Sequence, residues 1–198
     1  MTGRPFRLGL TGSIAMGKST TARLFREAGV PVWDADAAVH RLYAEGGAAV
    51  APLQDIVPNA IRNGAVDRTA LKAAIAADPG LISRIEAIVH PLVRADREAF
   101  VAAQDAPVVV LDIPLLYETG GEAHCDAVVV VSTDPQTQRA RAMERDGMTP
   151  AHFEMILAKQ VPDAEKRARA DYVIDSTHGL EPVRAQVQTI LEDIAKRA

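Results

Sequence analysis

Three short runs along the chain are apolar on successive residues and rich in β-branched side chains: Val108–Leu111, Ala127–Val131 and Tyr172–Ile174. A strand with one wet face alternates apolar and polar residues, so an uninterrupted run predicts a strand buried on both faces. Phe6–Thr11 and Val30–Trp33 predict two weaker strands. Helical spacing falls between these runs, which predicts a parallel sheet with crossover helices. Lys18–Ala28 is one such helix, with Gly29 placed as its C-terminal stop. Gly179–Lys196 predicts another, turning Val183, Val187, Ile190, Leu191 and Ile194 inward.

Two excursions interrupt this order. Residues 37–105 hold no good strand pattern but several helical patches, and a segment this long with its own apolar stripes predicts a helical insertion. Asp67 is placed to cap an Ala-rich helix that stops before Pro79. Leu81, Ile82, Ile85, Ile88 and Val89 predict a buried stripe, after which Pro91 kinks that helix or opens the next. Residues 147–170 are charged and only lightly apolar. The predicted core is therefore about 1–36, 106–146 and 171–198, in one chain with no repeat or flexible linker.

Composition narrows the classes. The chain has 198 residues, enough for a sizeable core, and its net charge of −4 argues against a nucleic-acid binder. Cys125 is the only cysteine and is expected to be a small, partly buried hydrophobe. Residues 1–10 lack a signal-peptide h-region, and no apolar run approaches the ~18 residues that span a bilayer. These features predict a cytoplasmic protein with neither a nucleic-acid nor a membrane partner, and with no obligate protein partner in evidence.

The most informative stretch is TGSIAMGKST, Thr11 to Thr20. Gly12-Ser13-Ile14-Ala15-Met16-Gly17-Lys18-Ser19 matches the P-loop pattern in full, between a predicted strand and a predicted helix. Successive N–H groups of such a loop form a nest for phosphate, reinforced by the helix N-terminus. Lys18 is expected to reach the β- and γ-phosphates of ATP, and the hydroxyl of Ser19 to ligate Mg²⁺. Ala15 suits the loop if its φ is negative. No guanine-reading motif follows, and Asp112-Ile113-Pro114-Leu115 lacks the glycine of a GTPase switch. A small-molecule kinase remains, with an insertion around the acceptor and a cover over the phosphates.

Four pieces then carry a specific resemblance: TGSIAMGKST, Asp34-Ala35-Asp36, His90-Pro91-Leu92, and Ile113 to Glu118. Arg145-Asp146-Gly147, Ile156 to Gln160 and Ala170 to Asp175 extend it from about Leu8 to Asp175. The chain resembles the dephospho-coenzyme A kinases, most of which carry Gly where this chain has Ala15. The resemblance implies a P-loop α/β fold with a five-stranded parallel sheet, a helical coenzyme-A-binding insertion at about 37–105 and a lid at about 147–170. It also implies transfer of the ATP γ-phosphoryl to the ribose 3′-hydroxyl of dephospho-CoA. Another nucleotide or nucleoside kinase, and a non-catalytic ATP-binding module, are the alternatives.

Roles follow residue by residue. The resemblance makes Asp36 the catalytic carboxylate that orients the acceptor hydroxyl and takes its proton, with Asp34 as support. Asp112, at a strand end, is placed to hold Mg²⁺. Arg141 and Arg145 are i,i+4 neighbours and on one helix would share a face toward the γ-phosphate. His90, Pro114 and Leu115 are placed at the acceptor, and residues 176–180 where this fold cradles adenine through its backbone. Trp33 is expected in the core. Lys166, Arg167 and Arg169 are expected to be solvated, and Glu118 is left without a role.

Overall fold

Residues 4–197 are described in the computed structural model. In chain order the elements are β1 (Phe6–Thr11), α1 (Lys18–Glu27), β2 (Val32–Asp34), α2 (Ala35–Tyr43), α3 (Val50–Ile56), β3 (Ile61–Arg62) and β4 (Ala65–Val66). There follow α4 (Arg68–Ala77), α5 (Leu81–Ala102), β5 (Val108–Asp112), β6 (Ala127–Ser132) and α6 (Pro135–Met143). The chain ends with α7 (Pro150–Leu157), α8 (Asp163–Arg169), β7 (Tyr172–Asp175) and α9 (Leu180–Arg197).

Two compact units result, one running up to Trp33 and resuming at Gln104, the other comprising Asp34–Ala103. The first is built on the five-stranded sheet, in the order β2-β5-β1-β6-β7. β1 pairs in parallel with both β5 and β6, and β6 with β7. On one face Leu8, Leu10, Val108, Val110, Val129 and Val131 pack under α1 and α9, through Leu24, Phe25, Val183, Val187, Ile190 and Ile194. On the other, Val128 and Val130 meet Leu116 and Tyr117. Adjacent valines of β6 thus serve opposite cores, which is why its run is apolar without alternation. β7 departs from that rule because it is an edge strand: of its residues only Ile174 is buried, and Val173 is exposed.

Local chemistry sets the ends. After α1 the Gly29 N–H donates to Arg26 O and the Val30 N–H to Phe25 O, which closes the helix and delays β2 to Val32.

The second unit has its own core of Leu42, Leu53, Val57, Leu71, Leu81, Ile85 and Val89. Asp67 caps α4 as expected, accepting from the N–H groups of Thr69 and Ala70. Two expectations fail here. The segment does hold strands, the two-residue β3 and β4, joined antiparallel through Asn63 (φ 50°) and Gly64 (φ 72°). Both φ values are positive, as the tight hairpin turn requires, and the Asn-Gly pair was its signal. Ile82, in the first turn of α5, is 44% exposed, whereas Leu81, Ile85 and Val89 are buried. Pro91 sits inside one continuous α5. No helix among the described residues is long and apolar enough to cross a membrane.

Candidate active site

The phosphate-type loop joins the end of β1 to the start of α1, and sequence dictates its path. A β-carbon on Gly12 would stand 2.7 Å from the carbonyl oxygen of Val131, so only glycine lets the loop lie against β6. Gly17 caps α1 with φ 92°, a left-handed conformation that glycine adopts at little cost. Ala15 reverses an expectation: its φ is 62°, and its methyl packs with Ala142 and Phe153. Ser13, Ala15 and Met16 are buried, whereas Ser19 and Thr20 open to solvent on the first turn of α1.

Lys18 begins α1, and its Nζ lies 2.5 Å from Oδ1 of Asp112. Asp112 is paired in register with Leu10, so β1 and β5 bring the loop and the carboxylate to the same edge of the sheet. The segment after Asp112 is tied to that edge as well, since Thr11 Oγ1 donates to Pro114 O at 3.1 Å. Leu115 is exposed there, while Leu116 and Tyr117 turn into the core.

Arg141 and Arg145 part company. Arg141, on α6, donates from Nη1 to Ser176 Oγ at 2.9 Å and from Nη2 to Ser176 O at 2.8 Å. Ser176 Oγ in turn donates to Met16 O at 2.8 Å, so the guanidinium is docked beside the loop. α6 ends at Met143, and Arg145 stands past its cap, exposed, so the two do not share a helical face.

In the other unit Asp34 caps α2 by accepting from the Ala37 N–H at 2.9 Å. Asp36 follows in the first turn, exposed, its carboxylate making no hydrogen bond or ion pair with a described residue. Trp33 is buried as expected. His90 is exposed on α5.

Lys166, expected in solvent, is buried instead, while Arg169 stays exposed but is held by neighbours. Lys166 has a side chain 0% exposed, because it lies on the face of α8 turned toward β6, and its Nζ pairs with Glu118 Oε1 at 2.8 Å. Burial pushes the Glu118 carboxyl up, but the Lys166 hydrogen bond, the backbone N–H groups of Glu118 and Val161 and the Lys166 charge together bring it below the usual carboxylate value. Arg169 stacks over the Tyr117 ring, 4.2 Å from its centroid, and pairs with Glu122. Sequence reasoning also passed over Gln138 and the side chains of Ser176 and Gln160. Their identity as polar residues gives no sign of what they meet, although Gln160 closes one of the stretches that carried the resemblance.

Known proteins resemble this chain over nearly its whole length. The family model described as dephospho-CoA kinase matches residues 6–181. A dephospho-CoA kinase of Cereibacter sphaeroides is 60% identical over 195 residues, 98% of each chain. A crystal structure from Thermus thermophilus superposes with a TM-score of 0.85 at 34% identity, covering 96% of this chain and 98% of that one. A dephospho-CoA kinase from Campylobacter jejuni, at 24% identity and a TM-score of 0.72 over 96% of this chain and 97% of its own, shares the fold.

Proposed function

Because the chain belongs to the dephospho-CoA kinase family, it is an ATP-dependent kinase, and we propose that it moves the ATP γ-phosphoryl to the ribose 3′-hydroxyl of dephospho-CoA, completing coenzyme A. The observation that carries this reading is the loop from Gly12 to Ser19, with Lys18 at its end and Arg141 docked beside it. Transfer breaks the bond between the γ-phosphorus and its bridging oxygen, forms a bond to the acceptor oxygen and releases ADP. The transition state is loose and spreads charge over the γ oxygens, so positioned cations supply most of the catalysis. Lys18 and Arg141 are those cations, and Arg145 joins them from just past the end of α6, before the 147–170 segment, which acts as a lid.

Asp36 orients the acceptor hydroxyl and takes its proton. Its support is the Asp-Ala-Asp resemblance together with a division of labour: Asp34 satisfies the helix end, which leaves Asp36 without a capping duty. His90, Pro114 and Leu115 contact the acceptor in this reading. The donors on the phosphate side, the exposed Ser19 hydroxyl and the Asp112 carboxylate, are the hard oxygen ligands that suit a divalent cation keeping several waters. Mg²⁺ bound by them supplies charge neutralisation to the phosphate oxygens. A cytoplasmic location is part of this proposal.

The test offers ATP with dephospho-CoA, AMP and adenosine separately and follows ADP release. Turnover with dephospho-CoA far above the others is expected; preference for AMP or adenosine would refute the assignment.

A further inference from the structure

Ile14 is held through both of its backbone polar groups. Its N–H donates to Gln160 Oε1 at 3.1 Å, and its carbonyl oxygen accepts from Gln138 Nε2 at 2.9 Å. The two glutamines come from different elements, α6 and the turn between α7 and α8, and Gln138 is 6% exposed. We propose that Gln138 and Gln160 are positioning residues that set the geometry of the phosphate loop, a proposal that rests on reading this loop as the ATP site.

The physical reason lies in the planarity of the peptide. Anchoring the Ile14 carbonyl toward Gln138 fixes the plane of the Ile14–Ala15 peptide, and a trans peptide then aims the Ala15 N–H the opposite way. The direction of one loop N–H is therefore dictated by a side chain outside the loop. Ala15 adds to this. An alanine with φ 62° persists only where its surroundings hold it there, and its methyl is enclosed by Ala142 of α6 and Phe153 of α7. The loop is thus braced from outside by the same two regions that supply the glutamines.

Neutral amides suit the task. Gln160 offers an acceptor oxygen without the negative charge that a carboxylate would set against a triphosphate. The placement of Gln160 also gives the buried ion pair a use. Its neighbour Val161 donates its N–H to Glu118 Oε1 at 2.9 Å, the same oxygen that Lys166 holds. Lys166 and Glu118 pin the turn from which Gln160 reaches Ile14.

The experiment titrates wild type, Gln160→Met and Gln138→Met with ATP and with inorganic tripolyphosphate at fixed Mg²⁺, by calorimetry or displacement. Methionine keeps length and volume but removes the amide. Both variants are expected to bind both ligands about 3–10-fold more weakly, the range for one lost hydrogen bond. The KM for ATP should rise in step, with a smaller change in kcat. Gln160→Glu, which keeps the acceptor and adds charge, should weaken both ligands further. Unchanged affinity in both methionine variants, or weakening for ATP without weakening for tripolyphosphate, would overturn the proposal. Because these are binding measurements, a wild type that binds ATP and ignores dephospho-CoA would count against the assigned function and leave the clamp result intact.

Discussion

Lys18 Nζ and Asp112 Oδ1 stand 2.5 Å apart, joining the first residue of α1 to the last residue of β5, with side chains 17% and 5% exposed. The cation proposed to serve the phosphates is thus also the counter-charge of a buried carboxylate. Lys18→Ala should lower kcat by at least about 10²-fold, as for a lost transition-state donor. The lost charge beside Asp112 should also destabilise the fold by about 1–3 kcal/mol. Turnover assays with urea unfolding check both; wild-type stability would mean that the pair contributes nothing to folding.

Asp36→Asn keeps volume and a hydrogen-bonding oxygen but cannot accept a proton. A fall in kcat of about 10²–10⁴ is expected, toward the lower end because the transition state is largely dissociative. ATP affinity should stay near wild type by calorimetry. Lost Mg²⁺–ATP binding would make Asp36 a metal support instead.

Arg141 and Arg145 can be told apart. Each alanine variant should lower kcat more than it raises the KM for dephospho-CoA, because charge develops mainly during transfer. Arg141→Ala also removes both hydrogen bonds to Ser176, so it alone should lower the melting temperature. A change confined to the KM for dephospho-CoA would assign these arginines to the acceptor.

Ala15 sets two effects of similar size against each other. Ala15→Gly relieves a left-handed residue, worth about 1–2 kcal/mol, but loses a buried methyl of about 0.8 kcal/mol and raises unfolded-state entropy by about 0.4–1 kcal/mol. Stability within about 1 kcal/mol of wild type is expected by thermal or urea unfolding. Ala15→Val, branched at a positive φ and crowded by Phe153, should be clearly destabilised.

The Tyr172 hydroxyl donates to Asp193 Oδ2 at 2.6 Å, and burial followed by that bond pushes its pKa up to about 12, from 10.0. Folding therefore favours the protonated phenol. The stability it contributes is complete below pH 10 and is lost as pH rises through about 12. Unfolding across that window should show a decline that Tyr172→Phe lacks; parallel curves would show that the hydroxyl is not coupled to folding.

Periodicity along the chain determined the sheet, its crossover helices and a separate helical segment, because burial on one face or two leaves a direct imprint on residue order. The phosphate loop was equally legible, since its glycines and lysine are required by local backbone geometry. Tertiary structure alone decided what meets what across the sequence. Val173 lost its expected burial when β7 became an edge, and Lys166 gained burial because α8 turned it toward Glu118. Arg145 fell off its helix where α6 stopped. Gln138, Gln160 and Ser176 reach the loop over 124, 146 and 160 residues of sequence. A polar side chain does not encode its distant partner, and only the folded chain sets the distances over which a hydrogen bond forms.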